Sequence, residues 1–369
     1  MLLYYQFIHL STKISVNIGM IIYADSAVCQ HHLIQNNLEF TRDIESFRQT
    51  QGSKCAVFHI PFPWDRGVGE TFESRFCKIR DLCDRVIVIG TELHETTVDF
   101  ILRNQQENIT YFICGVVKNV NSKQWMDWFT LSTYFYKENP ILDQLNPYAP
   151  KSKTFDILLG CVRPHRTKIY EYVLKSNFKD KAIMTYIQNK ISPLQQLDTS
   201  NWIWPEGLEP PEKDISWTVS PIIYQGRSMS LSTVVPINIY NETAYTVVAE
   251  TNYFNHFNFY TEKIVKPILA ERLFVTFAGH HYLKNLRNFG FKTFDCIIDE
   301  SYDNIEDTEI RFQEVFKQMK YLFISPQEEI LDKIRPITEY NKKIMLETNW
   351  HQNFSREFQD VLLDHTRQN

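Results

Sequence analysis

From residue 245 to residue 294 the chain reads YTVVAETNYFNHFNFYTEKIVKPILAERLFVTFAGHHYLKNLRNFGFKTF. The apolar run 245–249 ends on an acid, Glu250, and a polar, aromatic loop follows it. Thr261, Glu262 and Lys263 then open a helix that carries Ile264, Ile268 and Leu269 on one face. A second apolar run, 273–277, closes at Gly279, and a further helix begins near His281 or Tyr282. Strand, loop, helix, strand, loop, helix is the order of a nucleotide-binding α/β half, so any active site is expected to centre here.

Working outward, the same alternation appears on the amino side. TFDILLGC at 154–161 reads as a buried strand, runs into Val162-Arg163-Pro164-His165-Arg166, and leads to a helix over 167–176. A strand at 182–186 follows, and then an irregular insertion at 192–216 marked by four prolines, Pro193, Pro205, Pro210 and Pro211. In the first half, strands are expected at 18–23, 54–61, 85–90 and 110–116, with helices over 31–51, 71–82 and 92–104 between them. Pro140, Pro147 and Pro150 mark a linker. On the carboxyl side an acidic loop at 299–303 precedes a helix over 307–322, and helical periodicity persists over 327–364. The expectation is an α/β protein with two Rossmann-like domains facing across a cleft and helices at the C-terminus. Its domains would be 1–150, 151–330 and a helical extension at 331–369.

Composition narrows the function classes. A chain of 369 residues with 43% hydrophobic and 22% charged residues belongs with folded proteins and has room for two cores. Its net charge of −5 provides no basic footprint, which argues against nucleic acid as a partner. The seven cysteines are an odd number with no C-x-x-C pair, so neither a disulfide framework nor a zinc site is indicated. Gln6, His9 and Lys13 interrupt the apolar start, which reads neither as a signal peptide nor as a membrane span. A cytoplasmic location is expected, and the sequons at Asn108, Asn241 and Asn353 then count as chance matches.

Two constellations carry chemistry. An acid at the carboxyl end of a parallel strand faces the ligand crevice, and a helix N-terminus presents free N–H groups and the positive end of a dipole to a diphosphate. Glu250, Thr261, Glu262 and Lys263 fit that arrangement. They fit equally well a plain N-cap, Thr261, with Glu262 complementing the dipole. Arg163, His165 and Arg166 stand at the other strand-to-helix junction, where guanidinium groups clamp phosphates; a solvated basic turn is the bland reading, and His165 alone reads as structural. Two such junctions in one half favour an anionic ligand. Asp-x-Asp occurs nowhere in the chain, so no metal is expected to bridge a diphosphate.

The segment VAETNYFNHFNFYTEKIVKPILAERLFVTFAG resembles the donor-binding motif of the alpha-1,3-fucosyltransferases. In that family a Phe-Glu-Asn-Ser strand end precedes a Tyr-x-Thr-Glu-Lys helix start. Glu250 matches the acid, and Thr261, Glu262 and Lys263 match the triplet. The Arg163–Arg166 stretch is similar to the upstream segment carrying a donor-phosphate arginine, with Arg163 and Arg166 both open for that role. KTFDCIIDESYD resembles phage-encoded and bacterial relatives of the same superfamily. Thr251-Asn252 stands where the family has Asn-Ser, which leaves the sugar and the carrier nucleotide open.

The resemblance, which covers mainly 155–305, implies a GT-B glycosyltransferase. It would be inverting and metal-independent, would need no cofactor, and would move a sugar from a nucleoside-diphosphate sugar (GDP-linked in the family) to a hydroxyl of a glycan or other acceptor. Arg163 or Arg166 with Lys263 would stabilise the departing diphosphate, while Glu250 and Glu262 orient ribose and sugar. Such transfer needs a general base. Asp65 and Glu70, on the loop after the strand at 54–61, are the candidates, with Glu92, His94 and Glu95 behind them. Asp299, Glu300 and Asp303 read as a capping cluster. The rivals are a non-catalytic GT-B-like protein that keeps a nucleotide or glycan cleft, and a phosphorylase or epimerase on the same architecture.

Overall fold

A computed structural model describes residues 20–36, 38–60, 72–161, 163–187, 221–224 and 227–363. Asp65 and Glu70, and the insertion at 192–216, lie outside the described residues. The chain forms an α/β structure in two compact units, Met1–Asp127 with Asn349–Asn369, and Trp128–Thr348. The first unit ends ahead of the prolines where the sequence places a linker. The last helix belongs to that unit rather than to a separate extension. Among the described residues no helix is long and apolar enough to cross a membrane.

In the first unit five parallel strands follow one another in chain order: β1 (Met20–Ala24), β2 (Ser53–His59), β3 (Arg85–Gly90), β4 (Ile109–Ile113) and β5 (Ser122–Gln124). β3 is buried from Val86 onward, as a parallel strand covered on both faces requires. β5, reading SKQ, is a polar edge strand with no hydrophobic pattern, which is why composition does not reveal it.

Right-handed crossovers that always step the same way put their helices on one face. Phe47, Phe76 and Phe100 come from the helices Ile44–Gln49, Phe72–Arg80 and Glu95–Arg103. Phe47 meets Tyr23, Phe76 meets Phe58, and Phe100 packs on Phe76 at 4.9 Å. The opposite face carries Ile22, Cys55, Val57, Ile87, Ile89 and Phe112. Cys29 and Leu33 of the helix Ala27–Gln35 cover part of it, and Phe354, Phe358, Val361 and Leu362 of the helix Trp350–Leu363 cover more. The chain's end therefore closes the core of its beginning. The helix expected over 31–51 is in fact two, and the one expected over 327–364 breaks at Thr348.

In the second unit β6 (Lys153–Cys161), β7 (Ala182–Ile187), β8 (Thr243–Ala249) and β9 (Phe274–Phe277) are all parallel and lie in the order β9-β8-β6-β7. The chain leaves β6 toward β7 on one side and returns as β8 on the other. The order thus reverses between β6 and β8, and a crevice opens at their carboxyl ends. The helices Pro164–Lys175 and Thr308–Ile324 share a face, where Tyr172 stacks on Phe316 at 3.6 Å and Phe277 meets the same ring at 4.9 Å. The helices Glu262–Leu269 and Gln327–Glu347 pack together. At the amino ends of the strands the buried Arg272 bonds Asp156 of β6 at 2.6 Å and Thr246 of β8 at 2.8 Å, which fixes their register from below.

Candidate functional site

The reversal between β6 and β8 brings the two predicted junctions to one edge of the sheet. At the first, Arg163 is the N-cap, in extended conformation, and Pro164 is the first helical residue. Proline suits that place because its missing N–H would have had no partner there. No side chain caps this helix and its first turn contains no acid, so the positive end of the dipole is not neutralised from within. Arg163 is half-buried, and no hydrogen bond or ion pair within the described residues engages its guanidinium. This junction can receive an anion.

Behind it, His165 and Arg166 are buried and turned toward the neighbouring strand end. His165 Nε2 lies 2.9 Å from the carbonyl oxygen of Glu250, and Arg166 Nη2 donates to the same oxygen at 3.2 Å and to that of Ala249 at 3.3 Å. Arg166 is thus spent on tying the end of β8 to the first helix, and Arg163 is the arginine left for a ligand. The His165 ring packs on Tyr253 with centroids 4.7 Å apart. Burial, with Arg166, Arg163 and Lys263 nearby, holds its pKa down at about 3. The imidazole is therefore neutral at ordinary pH.

The second junction is built differently. Glu250 has no exposed surface, and its carboxylate accepts from Tyr282 Oη (2.7 Å), Thr261 Oγ1 (2.8 Å), Thr251 N (3.1 Å) and Thr261 N (3.4 Å). Burial raises its pKa, while Lys263 and the Tyr282 hydroxyl pull the other way. The carboxylate expected to orient a ribose or sugar is occupied by protein donors and acts as a pin between β8, the helix Glu262–Leu269 and Tyr282. Thr261 is an N-cap, as the alternative reading allowed, and accepts from Lys263 N at 3.3 Å. Glu262 is buried too, and burial alone would raise its pKa. Lys263 and Lys266 more than offset that and hold it below the usual carboxylate range. Lys263 Nζ lies 2.6 Å from Glu262 and reaches Thr261 and Thr251 hydroxyls, and its side chain keeps 22% exposure. Of this junction's four candidates, Lys263 alone presents partly free surface to a ligand.

Gly279 and the acidic loop shape the surroundings. A Cβ at Gly279 would stand 2.2 Å from the Phe254 carbonyl oxygen, so the loop after β8 can close down only over glycine. Asp303 caps the helix Tyr282–Asn288 by accepting from Leu283 N and Lys284 N, and Asp299 accepts from Ser301 N. Glu300 accepts from Phe294 N. These acids are caps and loop ties, as their spacing suggests. A cavity of about 230 Å³ lies beside them, lined by Arg287, Asp295, Asp299, Glu300, Ser301 and Asn304. It borders this loop and includes none of the predicted donor residues.

In the first unit, the carboxyl ends of the strands also gather polar groups. His59 Nε2 is 3.2 Å from Thr91 Oγ1, His94 is 3.9 Å from Glu92, and Glu95 lies in the first turn of its helix. Sequence reasoning missed Asp127, which opens the helix Asp127–Tyr136 three residues after the short polar strand. It is buried, its Oδ1 has no hydrogen-bond donor among the described residues, and burial pushes its pKa up to about 7. Only the flanking tryptophans, Trp125 and Trp128, hinted that this acid sits in an apolar setting.

Compared with models of known protein families, with curated proteins and with solved structures, the chain matches none.

Proposed function

We propose that this protein is a glycosyltransferase of the GT-B kind, inverting and metal-independent, whose second unit binds a nucleoside-diphosphate sugar. The observation that carries the reading is the uncapped helix start with Arg163 and the neighbouring helix start that carries Lys263, both following strands at the reversal point of one parallel sheet. An acceptor hydroxyl attacks the anomeric carbon, the bond to the diphosphate breaks, and the diphosphate leaves with the electron pair. Arg163, Lys263 and the helix end stabilise the charge that develops on it. The acceptor's proton goes to a base, for which Asp65 and Glu70 are the sequence candidates.

Assays of hydrolysis and transfer over a panel of nucleotide sugars test this, with Arg163→Ala and Lys263→Ala beside the wild type. Activity lost in both variants supports the assignment, and activity untouched by either contradicts it. A second reading, a binding protein without turnover, is favoured by the internal engagement of Glu250 and Glu262. It predicts nucleotide binding that still depends on Arg163, with no turnover of any donor.

A further inference from the structure

His165 carries an observation that anion binding alone does not use. Its Nε2 faces a carbonyl oxygen, which can only accept, so Nε2 bears the ring proton. In the neutral ring Nδ1 is then a bare acceptor. His165 is 1% exposed and Nδ1 has no hydrogen-bond partner among the described residues. A buried acceptor without a donor is costly. The residue is the second of the uncapped helix, one place from Pro164 and two from Arg163, and its ring reaches across to the end of β8.

We infer that the Arg163–His165 turn selects an anion that brings a hydrogen-bond donor with it: a phosphate bearing its own hydroxyl, or one with a sugar hydroxyl beside it. This rests on the reading of the turn as the phosphate-binding end of the site and adds a discrimination to it. Arg163 and the helix end supply attraction for any oxyanion. Nδ1 rewards those that can donate and leaves a lone pair facing oxygen in those that cannot. Sulfate is the informative counterpart, since at neutral pH it has the charge and shape of phosphate and no proton to give.

The test is isothermal titration of the intact protein. Inorganic phosphate is compared with sulfate, and, in alkaline buffer where monoester phosphates are fully ionised, glucose 1-phosphate with methyl phosphate. The expected result is a preference of about tenfold or more for the donor-bearing member of at least one pair. A preference in the first pair assigns the donor to the phosphate itself, and one in the second assigns it to a neighbouring hydroxyl. Equal affinity in both pairs, or tighter sulfate, overturns the inference while leaving the anion site standing. Absence of binding by all of these anions overturns the underlying reading as well.

His165→Phe keeps the ring but removes the acceptor and should bring both ratios near one. Arg163→Ala should weaken all the anions and leave the ratios unchanged. Should His165→Phe fail to fold, ¹⁵N NMR of the wild-type imidazole decides. Nδ1 is expected to be unprotonated and to move on addition of phosphate and not of sulfate. A protonated Nδ1 overturns the inference.

Discussion

Glu250 shows how a residue can hold the right position for one role and be occupied by another. Its carboxylate receives donors from Thr251, Thr261 and Tyr282 in a fully buried site. Removing it leaves the Tyr282 hydroxyl and the Thr261 hydroxyl buried without their acceptor. Glu250→Ala is therefore expected to destabilise the protein by about 3 kcal/mol in urea unfolding, and Glu250→Gln, which keeps an acceptor oxygen, by about half as much. Equal stability of Glu250→Ala and wild type would contradict the pin. His165 adds a pH signature. Its pKa falls from an ordinary 6.5 to about 3 on folding. The stability it contributes is full above pH 6.5 and is lost as pH falls toward 3, by about 5 kcal/mol at most. His165→Phe should flatten that part of the acid limb in a pH series of unfolding measurements.

At the scale of elements, the strands were the most legible part of the sequence, because parallel strands buried on both faces read as unbroken apolar runs. RVIVIG is β3 to the residue, and the stretches ending at Glu250 and Arg163 became β8 and β6. Polar elements were not legible. β5 has no apolar residue, and the helix Ala27–Gln35 starts from a Ser26 cap inside a segment with no clear periodicity. Of the site, the sequence identified both junctions by their position after a strand. It could not tell which one was already satisfied, since that depends on Tyr282, whose hydroxyl arrives from a later helix. The close contact at Gly279 was equally hidden. Gly279→Ala would place a methyl group 2.2 Å from a backbone oxygen. It should cost about 3 kcal/mol or more and lower the melting temperature by several degrees, whereas Gly52→Ala, where the added Cβ meets nothing within 4 Å, should lack that steric cost and lose only what its positive φ imposes.

At the scale of the whole molecule, sheet order distinguishes the two units. Among the described strands, the four-stranded sheet of the second unit reverses its order, whereas the five-stranded sheet of the first is wound one way and has the helix Trp350–Leu363 over its open face. A chain ending at Thr348 would lose Phe354, Phe358, Val361 and Leu362 from that core. At about 2 kcal/mol for each side chain the loss is comparable with the whole stability of a domain. The truncated protein is expected to lose the unfolding transition of its first unit in a calorimetric scan, and an unchanged scan would contradict the assignment of that helix.

The central claim is that the reversal between β6 and β8 binds a nucleoside diphosphate through Arg163 and Lys263. Isothermal titration with UDP, GDP and dTDP tests it most directly, on the wild type and on Arg163→Ala and Lys263→Ala. The account predicts saturable binding of at least one of them, weakened about tenfold or more by each substitution. No binding of any of the three, or binding that both variants retain in full, would contradict it.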